Sequence, residues 1–387
     1  MTKKITLVTN YFPPEKGAAA NRMHSLASTL REYGYQVHIV CPLPNYPKGK
    51  IFEGYNRKFY RKTIEDKLII NRLWVWPSKA QNKFLRLLSM LSFSFSLTLF
   101  FIFKRSSKQI IIQYSPVFVG FTAVFWSWVF RKKIVLNISD LWPLAGLEMG
   151  ILKKGFYYSV LKKMEHFCYK RAALIIGQSK EILTHIKNAG ILNTQFLYRN
   201  LPRFEAPKIP QRNDSENITL VYAGLLGVAQ GMLNICENLH LPRQITMHIY
   251  GGGPEANDIE QLNSPQIVFH GEIDRDQLHQ QLLHYDIAFI PLANRIYGSV
   301  PSKIFEFSRL GLAILYYAGG EGEDIVKNSQ LGWTVPVKRL DLLQEFIDGL
   351  SIKNLQDFPK QKVQHNVLRK YNFEEQFEAF LKKLEAV

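Results

Sequence analysis

Residues 5–41 read ITLVTNYFPPEKGAAANRMHSLASTLREYGYQVHIVC, in which two apolar runs enclose an amphipathic segment. The runs predict strands over Ile5–Thr9 and Gln36–Cys41, and the segment between them predicts a helix from about Arg22 to Tyr33. A strand, a helix and a second strand in this order begin a parallel α/β sheet.

The same alternation continues on both sides of one irregular segment. Residues 201–217 read LPRFEAPKIPQRNDSEN, with three prolines and a polar end, so we predict a linker over residues 203–217. Further strands are predicted before it at Leu68–Trp74, Gln109–Gln113, Lys133–Asn137 and Leu174–Gln178, and after it at Ile218–Tyr222, Ile245–Tyr250, Ile267–His270 and Ile287–Pro291. The predicted fold class is α/β, with two doubly wound, Rossmann-like domains at residues 1–202 and 218–370.

Parallel sheets of this kind bind ligands outside the carboxyl ends of their strands. Two such domains in series, joined by a short linker, are expected to face each other across a cleft. At the end of the chain, Tyr371–Ala386 predicts a helix with five apolar residues on one face: Phe373, Phe377, Phe380, Leu381 and Leu384. That face must cover an apolar surface.

The composition is that of a folded globular protein, since 47% of the 387 residues are apolar and 21% are charged. The net charge of +17 is unevenly distributed. Residues 1–200 hold 31 Lys and Arg against 9 Asp and Glu, whereas the rest of the chain is mildly acidic. A basic half of this kind predicts an anionic partner, either nucleic acid or an anionic lipid surface.

Two apolar stretches favour the lipid surface. Residues 84–103 are followed by Lys104-Arg105, and residues 116–130 are followed by Arg131-Lys132-Lys133. The first stretch is long enough to cross a bilayer as a helix, but it carries Arg86 and five hydroxyl side chains. A membrane span, a helix lying in the interface and an ordinary buried helix all stay open. We expect an anionic membrane surface as a partner and no nucleic acid.

Loops rich in small residues follow several of the predicted strands. They are NYFPPEKGAAA at 10–20, YAGLLGVAQG at 222–231 and YGGGPE at 250–255. The first two lead into predicted helices, whose free backbone N–H groups bind phosphate well, but each also fits a tight turn. The three glycines 251–253 predict either a tight bend or the close approach of a ligand.

The segment VPSKIFEF, residues 300–307, combines a helix start with two charged side chains. A helix beginning near Pro301 would direct its N–H groups and Lys303 toward a phosphate. Glu306, one turn later, would accept hydrogen bonds from a ribose diol. The plainer interpretation is a solvated lysine and a glutamate in the first turn of the helix.

A carboxylate closes one strand of the first domain, in SDLWP at residues 139–143. Asp140 is either a catalytic group or a helix cap. The ten histidines contain no HExxH pattern, and His279 and His284 would lie on different faces of a helix. We therefore expect no metal site.

Taken together, these segments resemble glycosyltransferase family 4, the retaining transferases of GT-B fold, and within it the subgroup that builds O-antigen, capsule and exopolysaccharide. The likeness spans nearly the whole chain. It rests on NYFPPEKGAAANR, PNYPKGK, SDLWP, YAGLLGVAQG, YGGGPE, FHGEIDRDQL, YDIAFIPL and VPSKIFEFSRLG in that order.

The resemblance implies a metal-independent transfer with retention, from a nucleotide sugar to a lipid-linked saccharide or similar acceptor. We expect a UDP-sugar as the donor, no cofactor, and a location at the cytoplasmic face of the inner membrane, peripheral or monotopic. The C-terminal helix, 371–387, is expected to cross back onto the first domain, which the resemblance implies binds the acceptor.

The resemblance also assigns roles to individual residues. Glu306 matches the carboxylate that holds the nucleotide ribose, Lys303 matches the diphosphate site, and Asp140 matches the residue beside the reacting sugar. These three are the predicted catalytic residues. The predicted donor-binding residues are Gly17, Gly224, Gly227, Gln230, Gly251, Gly271, Glu272, Ile273, Gly298, Ser299 and Ser302.

The chain departs from the family pattern at two positions. The first Glu of the family's carboxylate pair is replaced by Gly298, and the basic residue of its phosphate loop is replaced by Gln230. The sugar contact of that Glu would then be absent or would come from backbone groups of residues 298–301. The missing Glu also motivates a rival interpretation, a non-catalytic membrane-associated assembly subunit that binds nucleotide without turnover.

Overall fold

The computed structural model describes residues 3–46, 49–78, 83–104, 106–212, 216–262 and 264–387. Of the sequence features named above, Arg105, residues 47–48 of the PNYPKGK segment and residues 213–215 of the predicted linker lie outside these ranges. The chain folds into two compact units. The first ends at Asn200 and also includes Glu378–Val387, and the second is Leu201–Phe377.

The first unit is built on an eight-stranded sheet in its described residues. The strands are β1 (Lys4–Val8), β2 (Gln36–Pro42), β3 (Tyr60–Glu65), β4 (Leu68–Leu73), β5 (Gln109–Gln113), β6 (Lys133–Ile138), β7 (Leu174–Gly177) and β8 (Thr194–Leu197). They lie in the order β3-β4-β2-β1-β5-β6-β7-β8, and all neighbours are parallel except the hairpin of β3 and β4. The predicted parallel α/β sheet is confirmed.

Six helices connect these strands in the described residues. They are α1 (Ala18–Glu32), α2 (Lys83–Phe103), α3 (Val117–Val129), α4 (Leu144–Glu148), α5 (Phe156–Arg171) and α6 (Lys180–Asn188). The apolar side chains on the central strands are almost all inaccessible to solvent, for example Ile5 and Leu7 of β1. Burial on both faces is what a parallel sheet covered by helices requires.

Helix α2 has two apolar faces with different environments. Phe93, Leu97, Phe100 and Phe101 are buried, whereas Phe95, Leu99, Ile102 and Phe103 are exposed. The helix is therefore neither fully buried nor amphipathic in the usual sense. No helix among the described residues is both long enough and apolar enough to cross a membrane.

The second unit has a six-stranded parallel sheet in its described residues, in the order β11-β10-β9-β12-β13-β14. The strands are β9 (Ile218–Ala223), β10 (Ile245–Tyr250), β11 (Ile267–Gly271), β12 (Ile287–Pro291), β13 (Ala313–Ala318) and β14 (Gly332–Pro336). The helices are α7 (Met232–Asn238), α8 (Ala256–Glu260), α9 (Arg275–Leu282), α10 (Lys303–Arg309), α11 (Glu321–Asn328), α12 (Leu340–Asp348), α13 (Ile352–Leu355) and α14 (Lys360–Lys370).

The last helix, α15 (Phe373–Ala386), begins in the second unit and ends in the first. Its predicted apolar face is buried along the whole helix. In the first unit, the Phe380 ring lies 5.1 Å from that of Tyr198, and Gln109 Nε2 donates to the Leu384 carbonyl at 2.7 Å. The last two turns of the chain are thus part of the first unit's core.

Candidate functional site

Three loops of the second unit are joined by backbone hydrogen bonds where their strands end. The N–H of Gly224 donates to the Tyr250 carbonyl at 2.9 Å, and the N–H of Gly251 donates to the Gly271 carbonyl at 2.8 Å. Because β9, β10 and β11 are parallel neighbours, their carboxyl ends meet at one edge of the sheet. The predicted residues at 224, 251 and 271 are therefore brought together.

The glycines of the YGGGPE loop make room for a neighbouring loop of the protein itself. A Cβ at Gly251 would lie 1.8 Å from the Gly224 carbonyl oxygen, and one at Gly253 would lie 2.2 Å from that of Leu226. The space beside Gly252 is taken by the Glu272 side chain, 2.9 Å from such a Cβ. Of the alternatives that the sequence left open, the bend explains 251 and 253 without a ligand.

Gly224 makes room for a side chain. A Cβ at this position would lie 1.7 Å from the Nζ of Lys303, so only glycine lets the lysine reach this point. The same ammonium lies 4.8 Å from the centre of the Tyr222 ring, in a cation–π contact. Lys303 therefore lies at the base of the YAGLLGVAQG loop, although 79 residues separate it in sequence from Gly224.

The Lys303 ammonium is withdrawn from water without a close counter-ion. Burial lowers its pKa from the ordinary value of 10.5 to about 8, against an opposing effect of the Glu306 charge. Among the described residues, no carboxylate lies within ion-pair distance of it. A buried cation that lacks an anion is suited to receive one from a ligand.

Glu306 is held from helix α9. Its Oε1 accepts from His279 Nε2 at 2.8 Å and from Arg275 Nη2 at 2.8 Å and Nε at 3.2 Å. Burial raises the pKa of this carboxyl, but the hydrogen bond from His279 and the charge of Arg275 lower it more, so the net pKa lies below the ordinary value. The group is an ionised acceptor.

Gln230 contributes an acceptor to the same loop. Its Oε1 is buried and has no hydrogen-bond donor among the described residues. A buried acceptor without a partner suits a ligand hydroxyl or a bound water. The loop then turns at Gly231, which has a left-handed backbone (φ 67°), and the Ala229 carbonyl accepts from the N–H of Ala293 at 2.9 Å.

The remaining donor-site residues lie in the loops that lead to α9 and α10. Glu272 is exposed and Ile273 is half-buried, just before α9. Gly298 has a positive φ of 84°, and the N–H of Ser299 donates to the Ile296 carbonyl at 3.1 Å. Helix α10 begins at Lys303, two residues after the predicted start, and Ser302 is its N-cap residue without a side-chain capping bond.

In the first unit, Asp140 lies beside a buried arginine. Arg22 of α1 donates from Nη1 to Gln178 Oε1 at 2.6 Å and from Nη2 to Ser139 Oγ at 2.5 Å. Burial raises the pKa of Asp140, and the Arg22 charge opposes that shift. The Asp140 side chain makes no capping bond to α4, whose N-cap is Pro143. The helix-cap interpretation of Asp140 is therefore wrong.

The loop before α1 is fixed by a buried carboxylate. Glu15 Oε1 accepts from the N–H groups of Asn45 and Tyr46 at 2.8 and 2.9 Å. Burial raises the pKa of Glu15, although these bonds and the Arg72 charge oppose it. Gly17 follows as the exposed N-cap residue of α1, with φ 137°. The loop is well supported and leaves Gly17 open to solvent.

The described residues contain no cluster of three or more His, Cys, Asp or Glu side chains that could hold a metal ion. His279, one of the two histidines compared above, bonds Glu306. The arrangement at α10 thus consists of one ammonium, one ionised carboxylate and glycine-rich backbone, a set that can bind a phosphate and a sugar hydroxyl.

Residues 217–351 match the family model of Glycosyl transferases group 1. This part of the second unit is therefore similar to group 1 glycosyl transferases, and it contains both Lys303 and Glu306. No curated protein sequence is significantly similar to the chain.

Solved structures match the entire chain. Sucrose-phosphate synthase from Thermosynechococcus elongatus has a TM-score of 0.71 at 13% identity, with 99% of each chain covered. HepE from Anabaena, in complex with UDP-glucose, has a TM-score of 0.70 at 12% identity, covering 99% of this chain and 100% of that one. The lipopolysaccharide outer core galactosyltransferase WaaB has a TM-score of 0.61 at 16% identity, with 99% of each covered. The predicted GT-B fold class is confirmed.

Three residues at these sites were missed by the sequence reasoning. Arg275 and His279 of the second unit are four residues apart, a spacing that places both on one helix face. Arg275 lies within the FHGEIDRDQL segment and His279 follows it directly, so that spacing was a usable signal. Arg22 ends the NYFPPEKGAAANR segment, but nothing in the pattern indicates that a helical arginine turns inward toward Asp140.

Proposed function

We propose that this protein is a retaining glycosyltransferase. It transfers a sugar from a nucleotide sugar to a lipid-linked saccharide or similar acceptor in the synthesis of a cell-surface polysaccharide. We expect the donor to be a UDP-sugar. No metal or other cofactor takes part. The similarity to group 1 glycosyl transferases and the GT-B fold support this class of reaction. The similar structure of HepE in complex with UDP-glucose supports the donor, and that of the lipopolysaccharide outer core galactosyltransferase WaaB supports the type of product.

The observation that carries the proposal is the Lys303 ammonium beneath Gly224. The side chain is half-buried, desolvation of its charge lowers its pKa to about 8, and no carboxylate among the described residues is within ion-pair distance. A diphosphate placed against the glycine-rich loop would supply the missing negative charge. The contact is charge-assisted and becomes stronger as negative charge develops on the leaving group.

The proposed chemistry needs no protein nucleophile. The bond between the anomeric carbon and the diphosphate oxygen breaks, and its electron pair leaves with the diphosphate. An acceptor hydroxyl forms the new bond from the same face of the sugar, and its proton passes to the departing diphosphate. Lys303 stabilises the leaving charge, Glu306 accepts from the ribose, and Asp140 orients the acceptor or stabilises positive charge at the anomeric carbon.

The experiment is a screen followed by a stereochemical assay. The full-length protein is tested for thermal stabilisation by UDP-, ADP-, GDP- and dTDP-sugars, because a ligand that binds only the native state raises the melting temperature. The stabilising donor is then incubated with lipid-linked saccharides from membranes, and the anomeric configuration of the product is read by NMR. Inversion at the anomeric carbon would contradict the retaining mechanism, and no binding of any donor would contradict the proposal as a whole.

A second candidate, an assembly subunit without turnover, is favoured by one observation. The position of the family's first Glu is Gly298, which has a positive φ of 84° and carries no side chain for a sugar contact. Nucleotide binding without product in the same assay would support this candidate. Measurable transfer that depends on Lys303 would contradict it.

Our proposal includes peripheral binding to an anionic membrane at the cytoplasmic face. The exposed apolar face of α2 supports it: Phe95 is 60% exposed and Phe103 is 76% exposed. Trp128 and Phe130 at the end of α3 are exposed as well, and Arg131, which follows them, has no described partner. Apolar side chains beside basic ones favour an interfacial position on anionic lipid.

Sedimentation with vesicles tests the membrane proposal. We expect binding to phosphatidylglycerol vesicles that weakens with salt, and little binding to phosphatidylcholine. The double change Phe95→Ser and Phe103→Ser should reduce binding at least tenfold, because two aromatic rings that the membrane interface would bury are lost. Leu192→Ser removes one exposed apolar side chain outside α2 and α3 and serves as the control. Equal binding by the double variant and the control would overturn the assignment of this surface.

A further inference from the structure

Helix α9 contacts the carboxylate of Glu306 with two side chains at once. Arg275 begins the helix, and His279 lies four residues later on the same face. Both donate to one oxygen, Oε1, at 2.8 Å for the closest atoms. The other oxygen, Oε2, accepts from none of the described residues. The two oxygens of Glu306 are therefore used differently.

His279 is itself held in place. Its ring centre lies 4.7 Å from that of Phe204. The Phe204 ring is contacted in turn by the guanidinium of Arg309, which lies 5.5 Å from the ring centre. Its side chain is 15% exposed, compared with 53% for Arg275. A ring packed in this way keeps Nε2 aimed at the carboxylate, whereas Arg275 adds charge from the solvent side.

Glu306 stays ionised in this setting. Burial alone raises the pKa of the carboxyl, and the His279 hydrogen bond with the Arg275 charge brings it below the ordinary value. An ionised carboxylate only accepts hydrogen bonds, so Oε2 is ready for hydroxyl donors. The side chain is also prevented from rotating, because turning it would break the bonds at Oε1.

We propose that Arg275 and His279 are positioning residues, which fix Glu306 through Oε1 so that Oε2 receives the ribose hydroxyls of the nucleotide donor. The inference rests on the proposed function, since it concerns the same donor site. Arg275 and His279 do not touch the ribose themselves. They determine how well the protein distinguishes a ribonucleotide from its deoxy counterpart.

The readout is the ratio of two dissociation constants, measured calorimetrically for uridine diphosphate and its 2′,3′-dideoxy analogue. Adenosine and guanosine diphosphate pairs are measured in the same way. A carboxylate hydrogen-bonded to the ribose predicts a ratio on the order of tenfold or more for the full-length wild-type protein. In His279→Phe the ring still packs on Phe204 but the donor is lost, and we expect this ratio to fall by at least about threefold.

Two further variants separate positioning from folding. His279→Gln loses the ring but keeps an amide N–H at nearly the same distance from the backbone, and we expect it to recover most of the ratio. Arg275→Met changes a half-exposed side chain, so it is expected to fold and to lower the ratio as well. The melting temperature without nucleotide is measured for each variant.

The outcomes are distinguishable. A ratio that falls in His279→Phe and Arg275→Met and recovers in His279→Gln supports the inference. If a variant binds both nucleotides more weakly by the same factor, the role of the residue is purely structural and the inference is overturned. An unchanged ratio in all variants also overturns the inference. Either result leaves the proposed function intact. A wild-type protein that binds none of these nucleotides and none of the donors in the screen overturns the proposed function, and the inference with it.

Discussion

Arg22 and Lys303 are cations withdrawn from water, one in each unit, and their surroundings differ. The Arg22 side chain is buried and that of Lys303 is half-buried. Arg22 has hydrogen-bond acceptors at Gln178 and Ser139 and the charge of Asp140 nearby. Lys303 has the face of Tyr222 and, at longer range, the charge of Glu306. Burial lowers the pKa of both cations, but Arg22 has two hydrogen-bond acceptors within the protein, whereas Lys303 has none among the described residues.

The difference indicates what each cation is for. A buried charge that is hydrogen-bonded within its own protein leaves its partners uncompensated when it alone is removed. A buried charge that is not satisfied reduces stability and is retained for another reason, of which ligand binding is the most direct. The comparison predicts that equivalent substitutions at the two positions will have opposite effects on stability.

Arg22→Met should be the most damaging of these changes. It leaves Gln178 Oε1 and Ser139 Oγ without their donor and Asp140 without its nearby cation, and each buried acceptor left without a charged donor costs about 1–3 kcal/mol. Chemical denaturation of the purified protein measures this loss. Arg31→Met on the same helix removes only partly exposed contacts, including the ion pair with Glu32, and should cost no more than about 1 kcal/mol. Equal losses for the two variants would contradict the role given to Arg22.

Lys303→Met should lower turnover without lowering the stability of the protein. The substitution keeps the length of the side chain and removes an uncompensated charge, so the free energy of unfolding should stay the same or rise. Turnover should fall at least about tenfold, equivalent to roughly 1.4 kcal/mol in the activation barrier. Steady-state kinetics on the donor identified by the screen measures this effect. Wild-type turnover in the variant would contradict the assignment of Lys303 to the site.

Several strands with a continuous apolar pattern were predicted from the sequence, although β13 (Ala313–Ala318), which is equally apolar and fully buried, was missed. Gln109–Gln113, Ile245–Tyr250 and Ile287–Pro291 were predicted with the bounds that the structure has. Strand β3 (Tyr60–Glu65) was missed because it is a mostly exposed edge strand with no apolar alternation to recognise. Its turn to β4 is formed by Asp66 and Lys67, both at positive φ, instead of the glycine that usually signals such a hairpin.

The candidate site was predictable only in part. Residues near one another in sequence, such as Lys303 and Glu306, could be placed on one helix from their spacing alone. The contact of Lys303 with Gly224 depends on how the loops after β9 and β12 come together. No local sequence pattern predicts this contact. The same holds for Arg22 and for the glycines 251 and 253, whose close neighbours are backbone atoms of a distant loop.

Gly224→Ala tests the space that Lys303 occupies without changing its charge. The new methyl group would lie 1.7 Å from Nζ and 3.3 Å from the Tyr222 hydroxyl, so the lysine must move. We expect a severalfold loss of donor affinity, smaller than that of Lys303→Met because a flexible side chain can adjust. Gly34→Ala is the control, since it also has a positive φ but its Cβ would meet no atom within 4 Å. An unchanged donor affinity in Gly224→Ala would show that the lysine is not confined as described.

The smallest effect is a proton taken up on binding. The folded protein holds Lys303 with a pKa of about 8, below the ordinary 10.5, so between these values the unfolded chain binds more protons. This group therefore makes the folded protein more stable as pH rises from 8 to 10.5, and contributes none of this gain below pH 8.

A diphosphate beside Lys303 favours the ammonium and raises its pKa again. At pH 8, where about half of the lysines are neutral before binding, we expect an uptake of roughly half a proton per nucleotide. Titration calorimetry in two buffers of different ionisation enthalpy measures it, and Lys303→Met should abolish it; an equal uptake in both proteins would assign the proton to another group.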